Sequence, residues 1–264
     1  MKHEVQGKMI HIATGGLDFD NSKPVLLFLH GSGQSHLTWV FQSRYFAHRG
    51  FAVLAPDLPG HGLSTGTPLA SIEQMTDWCA ALLDSLDVAS ATFIAHSQGV
   101  LITLDAAARH PGRVAGLALI AGAMAIPVND MLIEMAQAKP KKAFAMMTSW
   151  GHGPTAHKFD NSQPGHAFLG YGRQVMAQND DVALHADLVA CNSYSSGPAA
   201  AAAVTQPSIC LIASHDKMTP AKAGHKMAAS IPGATIQIFD RAGHFLPVEF
   251  PREVNEALST FLAR

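Results

Sequence analysis

Thr92-Phe-Ile-Ala-His-Ser-Gln-Gly99 runs from an apolar β-type segment straight into a helical one, and the bend falls at Ser97. Around it stands a small-x-Ser-x-Gly frame made by Ala95, His96, Ser97, Gln98 and Gly99. A serine on a sharp strand-to-helix turn is held in a strained backbone, with its hydroxyl exposed above the sheet. Small residues two before and two after it are required because the strand and helix backbones nearly touch there. The helix N-terminus that follows places positive dipole beside any oxyanion formed at that hydroxyl. Taken alone, the frame fits an ordinary N-cap serine equally well. The rest of the chain decides between the two.

Outward from this bend, short apolar runs alternate with helical stretches. Residues 25–29, 51–55, 92–95, 117–120 and 208–212 read as strands buried on both faces, being apolar without alternation. Residues 235–239 add a further strand, and residues 8–13 an edge strand. Candidate helices occupy residues 37–49, 71–86, 99–110, 220–230 and 251–262, with Pro111-Gly112 ending one and Pro251 opening another. The pattern predicts an α/β fold, a mostly parallel central sheet with helices on both faces. It lapses between residues 123 and 206, where no β run occurs, methionines gather, and residues 131–138 and 181–191 read as helices. This segment is expected to be a helical cap inserted into a core made of residues 1–122 and 207–264. The alanine run 199–203 is read as the helix returning to the sheet.

A serine hydroxyl is a weak nucleophile without a base and an orienting acid. Asp216 lies in a loop after the strand at residues 208–212, and His244 in the equivalent loop after residues 235–239. Ser97, Asp216 and His244 therefore project from one edge of a parallel sheet, where open α/β sheets bind ligands. Their chain order is Ser, Asp, His. In this the sequence resembles the α/β-hydrolase superfamily, whose triad runs in that order. His30-Gly-Ser-Gly33 is similar to the family's oxyanion loop, and Asp57-Leu-Pro-Gly-His-Gly-Leu-Ser64 to its Asp-x-x-Gly-x-Gly-x-Ser turn. The resemblance covers residues 9–121 and 208–262.

That resemblance implies a serine hydrolase of the carboxylesterase type, with backbone N–H groups of Ser32 and Gln98 forming the oxyanion hole. Asp216 is preferred as the acid over Asp57, in a turn beyond the oxyanion loop, Asp105, two helical turns from Ser97, and Asp130, inside the cap. The sequence departs from the family pattern at Ala95 and Ala213, where glycine is usual, and at Val100 after Gly99. Each alanine adds one methyl, which many strand-helix crossings absorb, and Val100 only shifts helix packing. Serine in the nucleophile position argues against dehalogenase or epoxide-hydrolase chemistry. Carbon–carbon bond hydrolysis or cofactor-free dioxygenation on the same constellation stands as the alternative, and a non-enzymatic ligand receptor as a third class.

Composition narrows the partners. Hydrophobic residues make up 48% and charged residues 14%, against roughly 25% charged in an average soluble protein, so the chain must fold. A formal net charge of −2 gives no field that favours nucleic acid. Cys79, Cys191 and Cys210 are too sparse for a disulfide framework and read as buried thiols. The polar N-terminal stretch has no signal-peptide core, and the longest apolar run, residues 114–126, falls short of the ~18 residues of a membrane span. A cytoplasmic protein without a membrane span is expected. No phosphate-binding glycine frame occurs, and His152, His157, Asp160 and His166 lack metal-site spacing; neither cofactor nor metal is expected. His96 reads as a packed core histidine and His61 as part of its turn. Met124, Met147 and Trp150 are the leading candidates, among the cap's apolar residues, to line a pocket for an apolar acyl substrate, with charged substrates disfavoured.

Overall fold

The computed structural model describes residues 1–156, 161–163 and 165–263. Eight strands, β1 (Lys2–Val5), β2 (Lys8–Ala13), β3 (Val25–Leu29), β4 (Ala52–Pro56), β5 (Ala91–His96), β6 (Val114–Ile120), β7 (Ser208–Ala213) and β8 (Thr235–Phe239), form one sheet in the order β1-β2-β4-β3-β5-β6-β7-β8. β1 and β2 pair antiparallel, as do β2 and β4, and every other pairing is parallel. The sheet is thus mostly parallel, as its apolar runs predict. Strands β3, β4 and β7 are buried at every residue because helices cover both faces.

β1 is absent from the sequence-based expectation. Its residues are polar apart from Val5, and the hairpin to β2 depends on positive φ at both Gln6 and Gly7. Two consecutive left-handed residues make the tight turn that matches strand twist. The usual Asn-Gly or Asp-Gly signal is replaced by Gln-Gly, so the turn is easily overlooked.

The helices are α1 (Val40–Ala47), α2 (Ile72–Ser85), α3 (Gln98–Arg109), α4 (Asp130–Ala138), α5 (Pro140–Gly151), α6 (Phe168–Ala177), α7 (Ala183–Ser193), α8 (Gly197–Ala202), α9 (Ala221–Ser230), α10 (Leu246–Glu249) and α11 (Pro251–Leu262). One apolar cluster gathers Leu27 and Cys210 from the sheet with Leu101 and Leu104 of α3 and residues of α2 and α9, and a second joins Phe28, Trp39, Ile94 and Leu258 on the opposite face. α3 runs under the site with every residue from Gln98 to Ala107 buried. Helices α4 to α7 form the cap, with a small core of Phe144, Met147, Phe168 and Leu188 that extends to Phe245 and Val248. α8 joins the sheet-side core through Ala200 and Ala201. All three cysteines are free and buried. Among the described residues no helix is long and apolar enough to cross a membrane.

Candidate active site

β5 delivers Ser97 to the start of α3 at φ 54°, ψ −116°, a left-handed region that costs a non-glycine residue about 1–3 kcal/mol. A side chain at Gly99 would place Cβ 2.6 Å from the Leu29 carbonyl oxygen, so the crossing demands glycine there. Ala95 is accommodated, fully buried, two residues before the serine. This strained bend separates Ser97 from an ordinary N-cap serine: it makes no side-chain cap bond to its own helix. Its hydroxyl points at His244 instead.

His244 Nε2 lies 2.9 Å from Ser97 Oγ, and His244 Nδ1 lies 2.8 Å from Asp216 Oδ2. The three residues come from the ends of β5, β7 and β8, as their loop positions predict. Asp216 also accepts the backbone N–H groups of Met218 and Thr219, both at 2.8 Å, and the Thr219 hydroxyl at 2.7 Å. Burial alone would raise its carboxyl, but the neighbouring His244 ring and the Thr219 donors outweigh that and hold it below its ordinary value. Asp216 is therefore a buried, ionised acceptor fixed before it meets the imidazole. Sequence reasoning missed Thr219; the Asp-x-x-Thr spacing, which lets the carboxylate cap its own turn, is the signal for it.

A second buried carboxylate steadies His244 from behind. Glu249, at the end of α10, accepts N–H groups from Gly153 at 2.9 Å, Gly243 at 3.1 Å and Phe245 at 3.1 Å. Two of these donors flank His244 and the third lies two residues past the end of the cap helix α5. Burial pushes its pKa up to about 7 despite the three donors. The His244 N–H itself donates to the Gly151 carbonyl at 2.6 Å. His96 is a packed core histidine, as the sequence implies, with Nε2 2.7 Å from the His244 carbonyl oxygen. Burial and the adjacent His244 push its pKa down to about 3, which keeps it neutral.

Residues 30–33, the loop that resembles an oxyanion loop, follow β3. Burial lowers the His30 pKa to about 4. The neutral ring donates from Nδ1 to the Gly31 carbonyl and accepts the Leu58 N–H at Nε2, which ties this loop to the one after β4. Ser32 and Ser97 line one cavity of about 740 Å³ together with His244. Gln98 is fully buried, and its side chain donates to the Asp187 carbonyl at 3.2 Å.

The cap supplies the remaining wall. Met147 and Trp150 line the cavity, with Met131, Leu132, Met146, Leu188 and Phe245. Met124 does not, which corrects the sequence-based expectation. It is buried in the sheet-side core with Val100 and Tyr194, because the start of α8 presses on its backbone: a Cβ on Gly197 would lie 1.7 Å from the Met124 carbonyl oxygen. Of the polar lining groups, Lys217 at the rim is a cation.

Of the residues weighed as metal ligands, His157 and Asp160 lie outside the described residues. His152 stacks on Phe245 with ring centroids 4.4 Å apart, and His166 packs edge-on against Phe168 at 4.7 Å. The three-ligand cluster present among the described residues lies elsewhere, at His11, His36 and Asp57. There Asp57 already accepts the N–H groups of His36 and Leu63.

Comparison with known proteins gives the family. The chain matches the Alpha/beta hydrolase family over residues 26–257 and belongs to that family. It is 31% identical over 242 residues to the pimeloyl-[acyl-carrier protein] methyl ester esterase of Aromatoleum aromaticum, covering 84% of this chain and 92% of that one. Two relatives at 36% identity align over 124 residues only, 46% of this chain and 43% and 32% of their own lengths. The second of them is the dihydrolipoyllysine-residue acetyltransferase component of the acetoin cleaving system of Pseudomonas putida. In fold, the chain is similar to the enol-lactonase of Burkholderia xenovorans LB400, with a TM-score of 0.89 over the whole of both chains at 23% identity.

Proposed function

We propose that the protein is a serine hydrolase that cleaves a carboxylic ester or related acyl substrate through an acyl-enzyme on Ser97. The observation that carries this reading is the continuous relay from Ser97 Oγ through the His244 ring to Asp216, at 2.9 and 2.8 Å, opening on an apolar cavity. Asp216 holds the tautomer with hydrogen on Nδ1, so Nε2 is free to take the Ser97 proton as the hydroxyl attacks the carbonyl. Backbone N–H groups of Ser32 and Gln98 receive the oxyanion, each worth about 3 kcal/mol to the transition state. His244 then protonates the leaving alcohol, and in a second cycle it deprotonates the water that releases the acid.

The lining favours an aliphatic acyl group, and Lys217 at the rim disfavours a cationic one. The likeness to an ester esterase along most of both chains supports the same bond class. The test is Ser97→Ala with a short-chain nitrophenyl ester and a fluorophosphonate probe. Turnover and labelling are expected to vanish while the circular dichroism spectrum is unchanged; undiminished turnover would remove Ser97 from the mechanism.

A further inference from the structure

Helix α7 belongs to the cap, yet one of its faces is pressed against the loop that follows β3. We infer that Asp187 of α7, paired with His61, is a positioning residue that sets the oxyanion loop for catalysis; this rests on the serine-hydrolase reading above.

Asp187 is fully buried, and its Oδ2 accepts the Gly33 N–H at 2.7 Å and a hydrogen from His61 Nε2 at 2.9 Å. The other ring nitrogen of His61 lies 3.0 Å from the Pro59 carbonyl oxygen. Both nitrogens face acceptors, so both carry hydrogen and the ring is an imidazolium. Burial works against that charge, and the Asp187 carboxylate outweighs it. His61 thus has a task beyond shaping its turn.

The pair is aimed at one peptide. Asn179, in the segment leading into α7, donates to the Gly33 carbonyl at 2.6 Å and accepts the Gly62 N–H at 2.7 Å. Gly33 is therefore gripped through both its N–H and its carbonyl by cap residues. Its φ is +65°, and a Cβ there would lie 2.9 Å from Leu184, one turn before Asp187 on α7. Fixing the Ser32–Gly33 peptide restrains the preceding Gly31–Ser32 peptide, which carries the Ser32 N–H, because only the two backbone torsions of Ser32 separate them. The same helix touches the second donor residue, since the Gln98 side chain donates to the Asp187 carbonyl. One turn further on, Cys191 Sγ lies 3.6 Å from Ser32 Oγ.

A packing role alone accounts poorly for this arrangement. Asp187 Oδ1 is buried with no hydrogen-bond partner, a cost that leucine at the same place would not carry. Buried ion pairs are weak sources of stability and are better suited to fixing one geometry. The function of this one is to hold the oxyanion donors in register.

The experiment compares wild type, Asp187→Leu and Asp187→Asn on a nitrophenyl ester, with the affinity of phenylboronic acid, a tetrahedral-adduct former, measured alongside. The expected result for Asp187→Leu is a fall in kcat of about 100-fold with KM nearly constant, because one oxyanion donor is lost in the transition state only. Boronic acid affinity should fall in parallel, and Asp187→Asn, which keeps an acceptor for Gly33, should recover most of the loss. A folded Asp187→Leu variant with wild-type kcat and boronic acid affinity overturns the inference, as does a change confined to KM. If Asp187→Leu does not fold, Asp187→Ala and His61→Gln decide by the same kcat and boronic acid criteria: losses in both parameters uphold the inference and wild-type values overturn it. Wild type that neither hydrolyses the ester nor labels with fluorophosphonate overturns the hydrolase reading, and the inference with it.

Discussion

Asp216 and Glu249 are two buried carboxylates within one loop's reach of His244, and their environments push them in opposite directions. Asp216 meets the His244 ring and the Thr219 donors, which outweigh burial and hold its carboxyl below the ordinary 3.8. Its ionised form is the one the native fold favours. The contribution to stability is therefore present above the unfolded pKa and lost as pH falls through the folded one. Asp216→Asn should lower kcat by about 10⁴, by offering His244 the wrong partner for its Nδ1 hydrogen. It should also remove the part of the acid limb of the stability curve due to this residue, so that the gap in thermal midpoint between wild type and variant narrows below pH ~4. A near-normal kcat would move the orienting role to another residue. Asp216 was legible from its loop, since a polar residue at the C-terminal end of a parallel strand is placed by topology. Thr219 was not singled out, because a threonine in a loop has many ordinary uses.

At the scale of elements, α10 is four residues long, yet it anchors the loop bearing His244 through Glu249. The three N–H groups reach both carboxylate oxygens, so an amide at this position must leave at least one of them facing a donor. Glu249→Gln should lower stability at acid pH by about 1–3 kcal/mol through that lost acceptor. It should lower kcat by on the order of tenfold as the histidine loop loosens. The pH dependence has a definite sign. Burial raises the folded pKa from 4.5 to about 7, so this residue's stabilisation is full below pH 4.5 and declines as pH rises through 7. The advantage of wild type over Glu249→Gln should shrink across that interval in thermal melts, and a gap that widens would show that the three donors dominate. The helix itself is hard to read from sequence. Phe245-Leu-Pro-Val-Glu-Phe250 has no helical apolar period, and its acid gains meaning only from Gly153, which lies 96 residues away.

For the whole molecule, the cavity lies between two layers built by distant parts of the chain, and substrate preference should follow the layer that each residue joins. Met147→Ala and Trp150→Ala remove lining atoms and should shift the preferred acyl-chain length, read on a panel of nitrophenyl esters from acetate to octanoate. Met124→Ala removes a core side chain and should lower stability by about 2–5 kcal/mol with the preference unchanged. The opposite pattern would mean that the lining has been assigned to the wrong residues. The apolar runs at residues 25–29, 92–95 and 208–212, the bend at Ser97 and the loop positions of Asp216 and His244 were readable because each depends on neighbours along the chain. Local backbone preference and the direction of a parallel sheet were enough to bring them to one edge. Tertiary structure alone decided that Met124 packs beneath α8 while Met147 faces the cavity, that Asp187 meets Gly33 across 154 residues, and that Glu249 joins the cap to the histidine loop. The physical reason is that apolar periodicity records which side of an element is buried. The partner it is buried against depends on how separate layers dock, and no local pattern encodes that.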